Sequence, residues 1–340
     1  MSPAPTWVSA SAPAKTNLVL HVGSPTPDGY HPLETLFVAV DLRETVTATV
    51  NPALARRGVG IGITVEAERG SEYARMVSEG TARLSDVPLD GTNLAVKAVL
   101  AVCEALDVPV PGLKLHVRKA VPVAGGMGGG SADAAAALVA VNELVAHHAG
   151  VAPMDTDELL RLGAGLGADV PFMLLGGAAI GRGTGTELEA VPAEEELHFV
   201  FVPQDQGLST PAVYRQWDAN HTVTNASTRS APRTGIAPDP VPTAVLTALV
   251  AADPDALAAR IRNDLQGPAI QLLPELEGLL NHGVELGALA GWVSGSGPTV
   301  CFLVRSRDAA RRLVLDFVRE HRHALAVAGP VPGARVESRE

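Results

Sequence analysis

Apolar and polar positions alternate over residues 15–22. Thr16, Leu18, Leu20 and Val22 fall on one face, and Lys15, Asn17, Val19 and His21 on the other. That is the period-two pattern of a strand. The turn cluster Ser24-Pro25-Thr26-Pro27-Asp28-Gly29 follows, then a second β-rich run from Leu33 to Val50. Residues 51–92 mix glycines with short strand candidates such as Gly60 to Val65. Helical periodicity begins at Leu94 and runs to Leu106, with Thr92 or Asn93 as the cap and Pro109 and Pro111 as the stop. Leu113 to Lys119 reads as a strand, Ser131 to His147 as a strong helix capped by Ser131, and Thr156 to Leu166 as a shorter one. Residues 172–181 and Leu197 to Val202 read as buried strands, and Asn220 to Pro242 as an exposed loop. Helices are expected at 243–265 and 269–282, then a turn-rich segment at 291–304 and a basic helix at 307–324. Strands and helices mix without a regular βαβ repeat. The pattern therefore predicts an α+β fold rather than a doubly wound sheet.

Composition narrows the function classes. At 340 residues the chain has room for two domains. Its hydrophobic fraction of 46% supports a large core, but only 4% is aromatic, so aliphatic side chains and alanine must fill it. The formal net charge of −11 argues against binding nucleic acid through overall charge. An anionic small molecule would need a local site of backbone N–H groups and a few placed cations. Cys103 and Cys301 stand far apart with no Cys-x-x-Cys motif, so neither a disulfide framework nor a cysteine zinc site is expected. Residues 1–13 carry no signal-peptide pattern, and no apolar stretch suggests a membrane span. A cytoplasmic protein is the expectation.

The sharpest motif is Pro122-Val123-Ala124-Gly125-Gly126-Met127-Gly128-Gly129-Gly130-Ser131-Ala132-Asp133. Five glycines in the six positions 125–130 suit neither helix nor strand. They let main-chain N–H groups converge and a bulky ligand approach, and an alanine-rich helix starts at once. Free N–H groups and the positive end of a helix dipole beside a bare loop describe a phosphate site. The motif has neither Gly-Lys-Ser/Thr nor Gly-x-Gly-x-x-Gly spacing, so it is not a Walker loop or a dinucleotide fingerprint. A flexible linker is the bland alternative, disfavoured by Pro122 and the helix that hem the run.

Other candidates are weaker alone. Lys15 and Asn17 share the polar face of the first strand, as at an exposed edge or a site floor. Asp169, in Gly167-Ala168-Asp169-Val170-Pro171-Phe172, is either a helix cap or a general base that needs a cation nearby. Asp28-Gly29-Tyr30-His31 is a turn presenting a ring and an imidazole. Ser294-Gly295-Ser296-Gly297-Pro298 leads into an apolar run and reads as a turn before a strand, without a nucleophile elbow. His147-His148 ends a helix and reads as structural; no cluster suggests a dedicated metal cage.

Together, Pro13-Ala14-Lys15-Thr16-Asn17-Leu18, Asp28 to His31, Pro122 to Ala132, Gly167 to Phe172 and Ser294 to Pro298 resemble the GHMP kinase superfamily. The Asp-Gly-Tyr-His and Gly-Ala-Asp-Val-Pro elements are similar to its branch acting on a cytidylyl erythritol. The resemblance implies a two-lobed GHMP kinase fold, with an N-terminal lobe like domain 2 of ribosomal protein S5 and a ferredoxin-like C-terminal lobe. It implies an N-terminal ATP-binding domain over 1–180 and a C-terminal domain over 181–340. The implied reaction moves the γ-phosphoryl group of ATP to the 2-hydroxyl of 4-diphosphocytidyl-2-C-methyl-D-erythritol, in the non-mevalonate route to isopentenyl diphosphate. Carried over by motif, Asp169 is the catalytic base and Lys15 its cationic partner. The implied ATP-binding residues are Asn93, Leu94, Lys119, Pro122, Val123, Ala124, Gly125, Gly126, Met127, Gly128, Gly129, Gly130, Ser131 and Ala132. Asn17, Tyr30, His31, Thr210 and Tyr214, with Asp169, are implied on the substrate side. Magnesium is expected with ATP, near Ser131, without an assigned carboxylate ligand. The expected partners are ATP and the cytidylyl erythritol, with no nucleic acid and no membrane, in a monomer or weak homodimer.

Two positions depart from the family pattern. Thr26 stands where arginine is frequent, and Ala124 where glycine is frequent. The stretches 51–92 and 217–243 exceed what a minimal member needs. Homoserine or mevalonate kinases are the nearest alternatives, against which Asp-Gly-Tyr-His speaks. A non-catalytic nucleotide-binding regulator would need neither Lys15 nor Asp169.

Overall fold

In the computed structural model, residues 5–56, 60–227 and 237–340 are described. The first part of the chain runs β1 (Trp7–Val22), β2 (Leu33–Val50), α1 (Pro52–Arg56), β3 (Ile61–Ala67), α2 (Glu72–Glu79), α3 (Leu94–Ala105), β4 (Leu113–Lys119), α4 (Gly129–Ala149), α5 (Thr156–Leu166), α6 (Val170–Leu175), β5 (Ala178–Gly183) and β6 (Glu187–Val191). The second runs β7 (Leu197–Val202), α7 (Thr210–Ser227), α8 (Thr243–Val250), α9 (Pro254–Ala258), β8 (Arg262–Asn263), α10 (Gln266–Leu272), α11 (Glu275–Glu285), β9 (Ala290–Val293), β10 (Val300–Val304), α12 (Arg307–Arg319), β11 (Leu325–Gly329) and β12 (Arg335–Arg339).

The strands form two sheets. The larger has the path β12-β1-β2-β4-β3, with β5 on β2, β6 on β5 and β8 on β1. The smaller is antiparallel with the order β11-β7-β10-β9. Counted within its own lobe that order is 4-1-3-2, and helices separate the first strand from the second and the third from the fourth. This is the ferredoxin-like arrangement expected of the C-terminal lobe. The domain boundary expected at 180 falls inside β5. Strands β5, β6 and β12 all join the larger sheet, so the chain crosses between lobes and returns.

Burial explains why some strands do not alternate. Along β7, Phe199 and Phe201 face one core while Val200 and Val202 face another. Both faces of the small sheet are covered, so the run reads as continuously apolar. One of these cores joins Phe199 and Leu303 to Leu18, Leu36 and Val38 of β1 and β2, which welds the lobes together. The other side of the large sheet carries α3 to α6. Helix α4 is buried nearly all round, and its alanines, Ala134 to Ala137, let it lie close to β1 and β2. Both cysteines are buried in these cores; burial pushes the Cys103 thiol up to about 11 and the Cys301 thiol up to about 12. Among the described residues no helix is long and apolar enough to cross a membrane.

Several sequence expectations are corrected. Residues 170–175 are helix, not strand; Pro171 sits in the first helical turn, and Gly176 and Gly177, both at positive φ, end it before β5. A short apolar run does not reveal its period. The loop expected from Asn220 is helix through Ser227. Val213 and Trp217 anchor α7 in the core, and the side chains of Gln216 and Asn220 bond Gln271 of α10. Residues 228–236 of that loop lie outside the described residues. The helix expected at 243–265 is broken before Pro254, and the one at 269–282 at Pro274. Ser131 does not cap α4. Gly128, in the left-handed region, is the cap, and Ser131 lies inside the first turn.

One polar group of the core is unusual. Lys119, at the end of β4, is 2% exposed, and its Nζ lies 2.5 Å from Glu44 Oε1 and 2.6 Å from Asp133 Oδ2. Burial alone would lower the Lys119 ammonium, but the Asp133 and Glu44 carboxylates outweigh it and hold it above its ordinary value. Burial pushes Glu44 up to about 8 against the pull of Lys119. An acid raised in the folded state keeps a proton that the unfolded chain releases. Its contribution to stability therefore falls as pH rises from the ordinary 4.5 to about 8. Glu44→Gln is expected to remove this slope. Thermal melts across that window should show the variant gaining on wild type as pH rises; a difference that stays constant with pH would refute it.

Candidate active site

Two bulges aim the first strand at the site. The pairing of β1 with β2 shifts register between Pro13 and Ala14 and again between Asn17 and Val19. Bulges bend a strand and re-aim its side chains, and these two bracket Lys15 and Asn17. Both residues are buried, 5% and 2% exposed, so the segment is a site floor and not an exposed edge. Lys15 Nζ donates to Asn17 Oδ1 at 2.8 Å. Asn17 Nδ2 donates to Thr35 Oγ1 at 2.8 Å, and that hydroxyl donates to the Val19 carbonyl at 2.7 Å. The chain of bonds fixes the Asn17 amide with its oxygen toward the ammonium.

Asp169 comes from the other side of the cleft. Its Oδ2 lies 3.6 Å from Lys15 Nζ. It occupies the N-cap position of α6, yet its side chain makes no capping bond. The carboxylate is thus left for the cavity, with 30% of the side chain exposed. Phe37 closes the other flank, its ring centroid 5.5 Å from the Lys15 ammonium, and stacks on Phe172. A carboxylate beside a fixed cation, on an apolar wall, is suited to accept a hydroxyl proton.

The glycine run forms the roof. Gly126 and Gly128 have φ of 76° and 75°, which side-chain-bearing residues rarely adopt. A Cβ on Gly126 would lie 2.2 Å from the Ser294 carbonyl oxygen, and one on Gly128 2.2 Å from Met173 Cε. Gly130 faces open space. The first intrahelical bond of α4 at this end joins the Ala132 N–H to the Gly128 carbonyl at 2.8 Å. The N–H groups of Gly129, Gly130 and Ser131 precede it, so they remain for an anion. Met127 is buried in the inter-lobe core and does not plug the cradle. Ala124 takes φ 57°, a conformation that glycine would adopt without strain.

The second glycine turn, read from sequence as a plain turn, is part of the site. Ser294 Oγ donates to the Gly126 carbonyl at 3.2 Å, and Thr299 N–H to the Gly125 carbonyl at 3.3 Å. Gly295 and Ser296 reach the cavity wall, where Ser296 shares a 2.8 Å hydroxyl contact with Thr210. Spacing alone gave no sign that two turns about 170 residues apart in the chain would interlock.

The cavity has a volume of about 770 Å³. Its far end is aromatic. His31 stacks on Tyr214 at 5.1 Å between centroids and meets the edge of Trp217 at 5.3 Å. Burial lowers the His31 imidazole, opposed by Asp218, whose carboxylate lies 3.3 Å from Nε2. Burial, and then the nearby Asp169 carboxylate, push the Tyr214 phenol up to about 12. Tyr30 stands exposed on the rim. Thr26 does not reach into the cavity. Its hydroxyl is shared between Asp28 and the Tyr30 carbonyl, and it staples the turn that presents Tyr30. Thr35, Phe37, Asp218, Gly295 and Ser296 are among the wall residues that sequence reasoning missed. The aromatic and polar ones had no motif, since their positions follow from sheet register and from α7.

The expected nucleotide residues divide. Leu94, Ala124, Gly125, Gly126, Gly128, Gly129, Gly130 and Ser131 line the cavity. Pro122 and Val123 line a second one of about 310 Å³, on which Ala124 and Gly125 also border. Asn93 caps α3, its side chain accepting the Ala95 N–H at 2.8 Å. Ala132 is buried. The Lys119 side chain, expected at the nucleotide, turns into the core, because Glu44 and Asp133 hold its ammonium there. Among the described residues no group of three or more His, Cys, Asp or Glu side chains could hold a metal ion.

Comparison with known proteins agrees with this geometry. The pattern described as GHMP kinases N terminal domain matches residues 93–177, and that described as GHMP kinases C terminal matches 245–323. A 4-diphosphocytidyl-2-C-methyl-D-erythritol kinase of Kineococcus radiotolerans is 47% identical over 309 residues, 91% of this chain and 85% of that one. Another, of a Nocardioides species, is 44% identical over 330 residues, 96% of this chain and 99% of that one. A crystal structure of 4-(cytidine 5'-diphospho)-2C-methyl-D-erythritol kinase superposes with a TM-score of 0.67 at 29% identity, covering 94% of this chain and 98% of that one. The chain belongs to the GHMP kinase family, in the branch of the 4-diphosphocytidyl-2-C-methyl-D-erythritol kinases.

Proposed function

We propose that this protein transfers the γ-phosphoryl group of ATP to the 2-hydroxyl of 4-diphosphocytidyl-2-C-methyl-D-erythritol, releasing ADP and the 2-phosphate for the non-mevalonate route to isopentenyl diphosphate. The observation that carries the reading is the Lys15–Asp169 pair at 3.6 Å, in one cavity with the bare start of α4 and the His31–Tyr214 stack. A hydroxyl approaching the pair from the cavity meets a base and a cation side by side. Asp169 takes its proton as the oxygen attacks. Lys15, held by Asn17, offsets charge growing on the transferred group. Phosphoryl transfer asks mainly for position and charge stabilisation, so no covalent nucleophile is needed. The free N–H groups of Gly129, Gly130 and Ser131 receive the phosphates.

Magnesium fits as a companion of the nucleotide. The donors present are hard oxygens, the Ser131 hydroxyl and the Asp169 carboxylate, too few for a protein cage. The Ser131 hydroxyl and the Asp169 carboxylate would hold such an ion together with phosphate and water oxygens, and it would supply positive charge to the phosphates. At the far end, Tyr30 and Tyr214 offer rings to the cytosine, His31 offers its edge, and Thr210 completes the wall. Asn17 faces the erythritol end.

A coupled ADP-release assay tests the reading. Turnover is expected with the cytidylyl erythritol and not with homoserine or mevalonate; the reverse order would reject it. Asp169→Ala is expected to lower kcat by about 10²–10⁴-fold while calorimetric ATP binding stays close to wild type. Unchanged kcat would remove Asp169 as the base. Tyr214→Ala forfeits a stacking surface worth about 1 kcal/mol. It should raise KM for the cytidylyl substrate several-fold more than KM for ATP, whereas equal effects would take Tyr214 out of the cytidine site.

A further inference from the structure

The mechanism makes no use of the most heavily buried charges in the molecule. Lys119, Glu44 and Asp133 are 2%, 0% and 3% exposed, and none of them lines the cavity. Taking two carboxyl groups and an ammonium out of water costs several kcal/mol for each that stays charged, even when they pair. Apolar side chains of the same volume would fill the space without that cost. What the charges add is directional bonding, and its direction is specific. Lys119 is the last residue of β4, immediately before the glycine loop, and Asp133 lies on the second turn of α4, just after it. Their side chains join at 2.6 Å. Glu44, from β2, accepts the Ala120 N–H at 2.8 Å, and its other oxygen lies 2.5 Å from Lys119 Nζ. That same oxygen would lie 3.2 Å from a Cβ on Gly129, so the carboxylate sits directly against the loop's exit.

We propose that Lys119, Glu44 and Asp133 form a positioning clamp, which joins the entry and exit of the anion-binding loop so that its N–H groups are already aimed when ATP arrives. The clamp rests on the functional reading above for the identity of the anion. A loop of five glycines has a large conformational entropy to lose. Met127 and the bonds from Lys15, Ser294 and Thr299 hold its first half, and its two ends need a tie of their own. Glu44 is the central member, because it alone touches both the backbone at the entry and the surroundings of Gly129.

The experiment compares Glu44→Leu with Glu44→Gln in the full chain. Leucine keeps the bulk but leaves the Ala120 N–H unpaired; glutamine still offers it a carbonyl. Three quantities are read: KM for ATP and for the cytidylyl erythritol, Tm, and backbone hydrogen exchange at residues 125–131. E44L is expected to raise KM for ATP about tenfold, with KM for the other substrate within about twofold, and to speed loop exchange about tenfold. E44Q is expected to stay within about twofold of wild type in both KM values and in loop exchange. If E44L fails to fold, Asp133→Ala against Asp133→Asn is read in the same way. A lower Tm with unchanged KM and unchanged loop exchange would make the trio a plain core element and overturn the clamp. So would a glutamine variant as impaired toward ATP as the leucine one, or equal rises in both KM values. Exchange needs no turnover. It decides the clamp even where wild-type protein fails to phosphorylate the cytidylyl erythritol, a failure that would count against the functional reading alone.

Discussion

Backbone N–H groups left without carbonyl partners at the start of α4 set the terms for the rest of the molecule. Such groups bind an anion only if nothing covers them and only if they do not wander. The first condition demands glycine, and the second is what glycine resists. The fold reconciles the two by supporting the loop from outside. Strand β1 bonds it through the Lys15 N–H and the Met127 carbonyl. The turn at Ser294–Gly297 approaches so closely that Gly126 has no room for a methyl group. The charged trio ties its ends. Each support comes from a different part of the chain, so the site exists only once both lobes are in place.

The lobes share their interior, which bears on how the pair Lys15 and Asp169 is held. Strands β1 and β2 meet the small sheet through Leu18, Leu36, Phe199 and Leu303. Lys15 belongs to a strand of that welded layer but points to the other face of the large sheet, where Asp169 sits at the tip of α6. Phe37 links them, packing on Phe172 of α6 and lying below the Lys15 ammonium. Their spacing is therefore fixed by aromatic and aliphatic packing, not by the ion pair itself. At 3.6 Å the two groups are close enough for one hydroxyl on the cavity side to reach both.

Features set by local rules were legible in the sequence. The bare loop, the strand carrying Lys15 and Asn17, the helix after Asn93 and the strand at Leu113–Lys119 follow from composition and period over a few residues. Features set by distant partners were not. The family resemblance puts Lys119 at the nucleotide, and nothing adjacent in the sequence announces that Glu44 and Asp133 hold it in the core. Ser131 reads as a cap until Gly128, in the left-handed region, takes that place. The apolar run at Val170–Leu175 looks like a strand because six residues cannot distinguish the two periods. The polar end of α7 looks like a loop because its anchors, Val213 and Trp217, lie upstream of it. Asp169 stood between two readings, and the missing cap bond settles that its carboxylate is unspent on the helix.

The last strand has a consequence for how the protein is made. Residues Arg335–Arg339 lie beside Val8–Ser11, with the entire C-terminal lobe intervening in the chain. On the ribosome, then, the amino-terminal lobe must wait with a raw β-edge along its first strand until the final strand is synthesised. Such an edge is a template for strand addition from any neighbouring chain. Closure of that edge is thereby timed by the synthesis of residues 335–339, long after the strand they cover has left the ribosome.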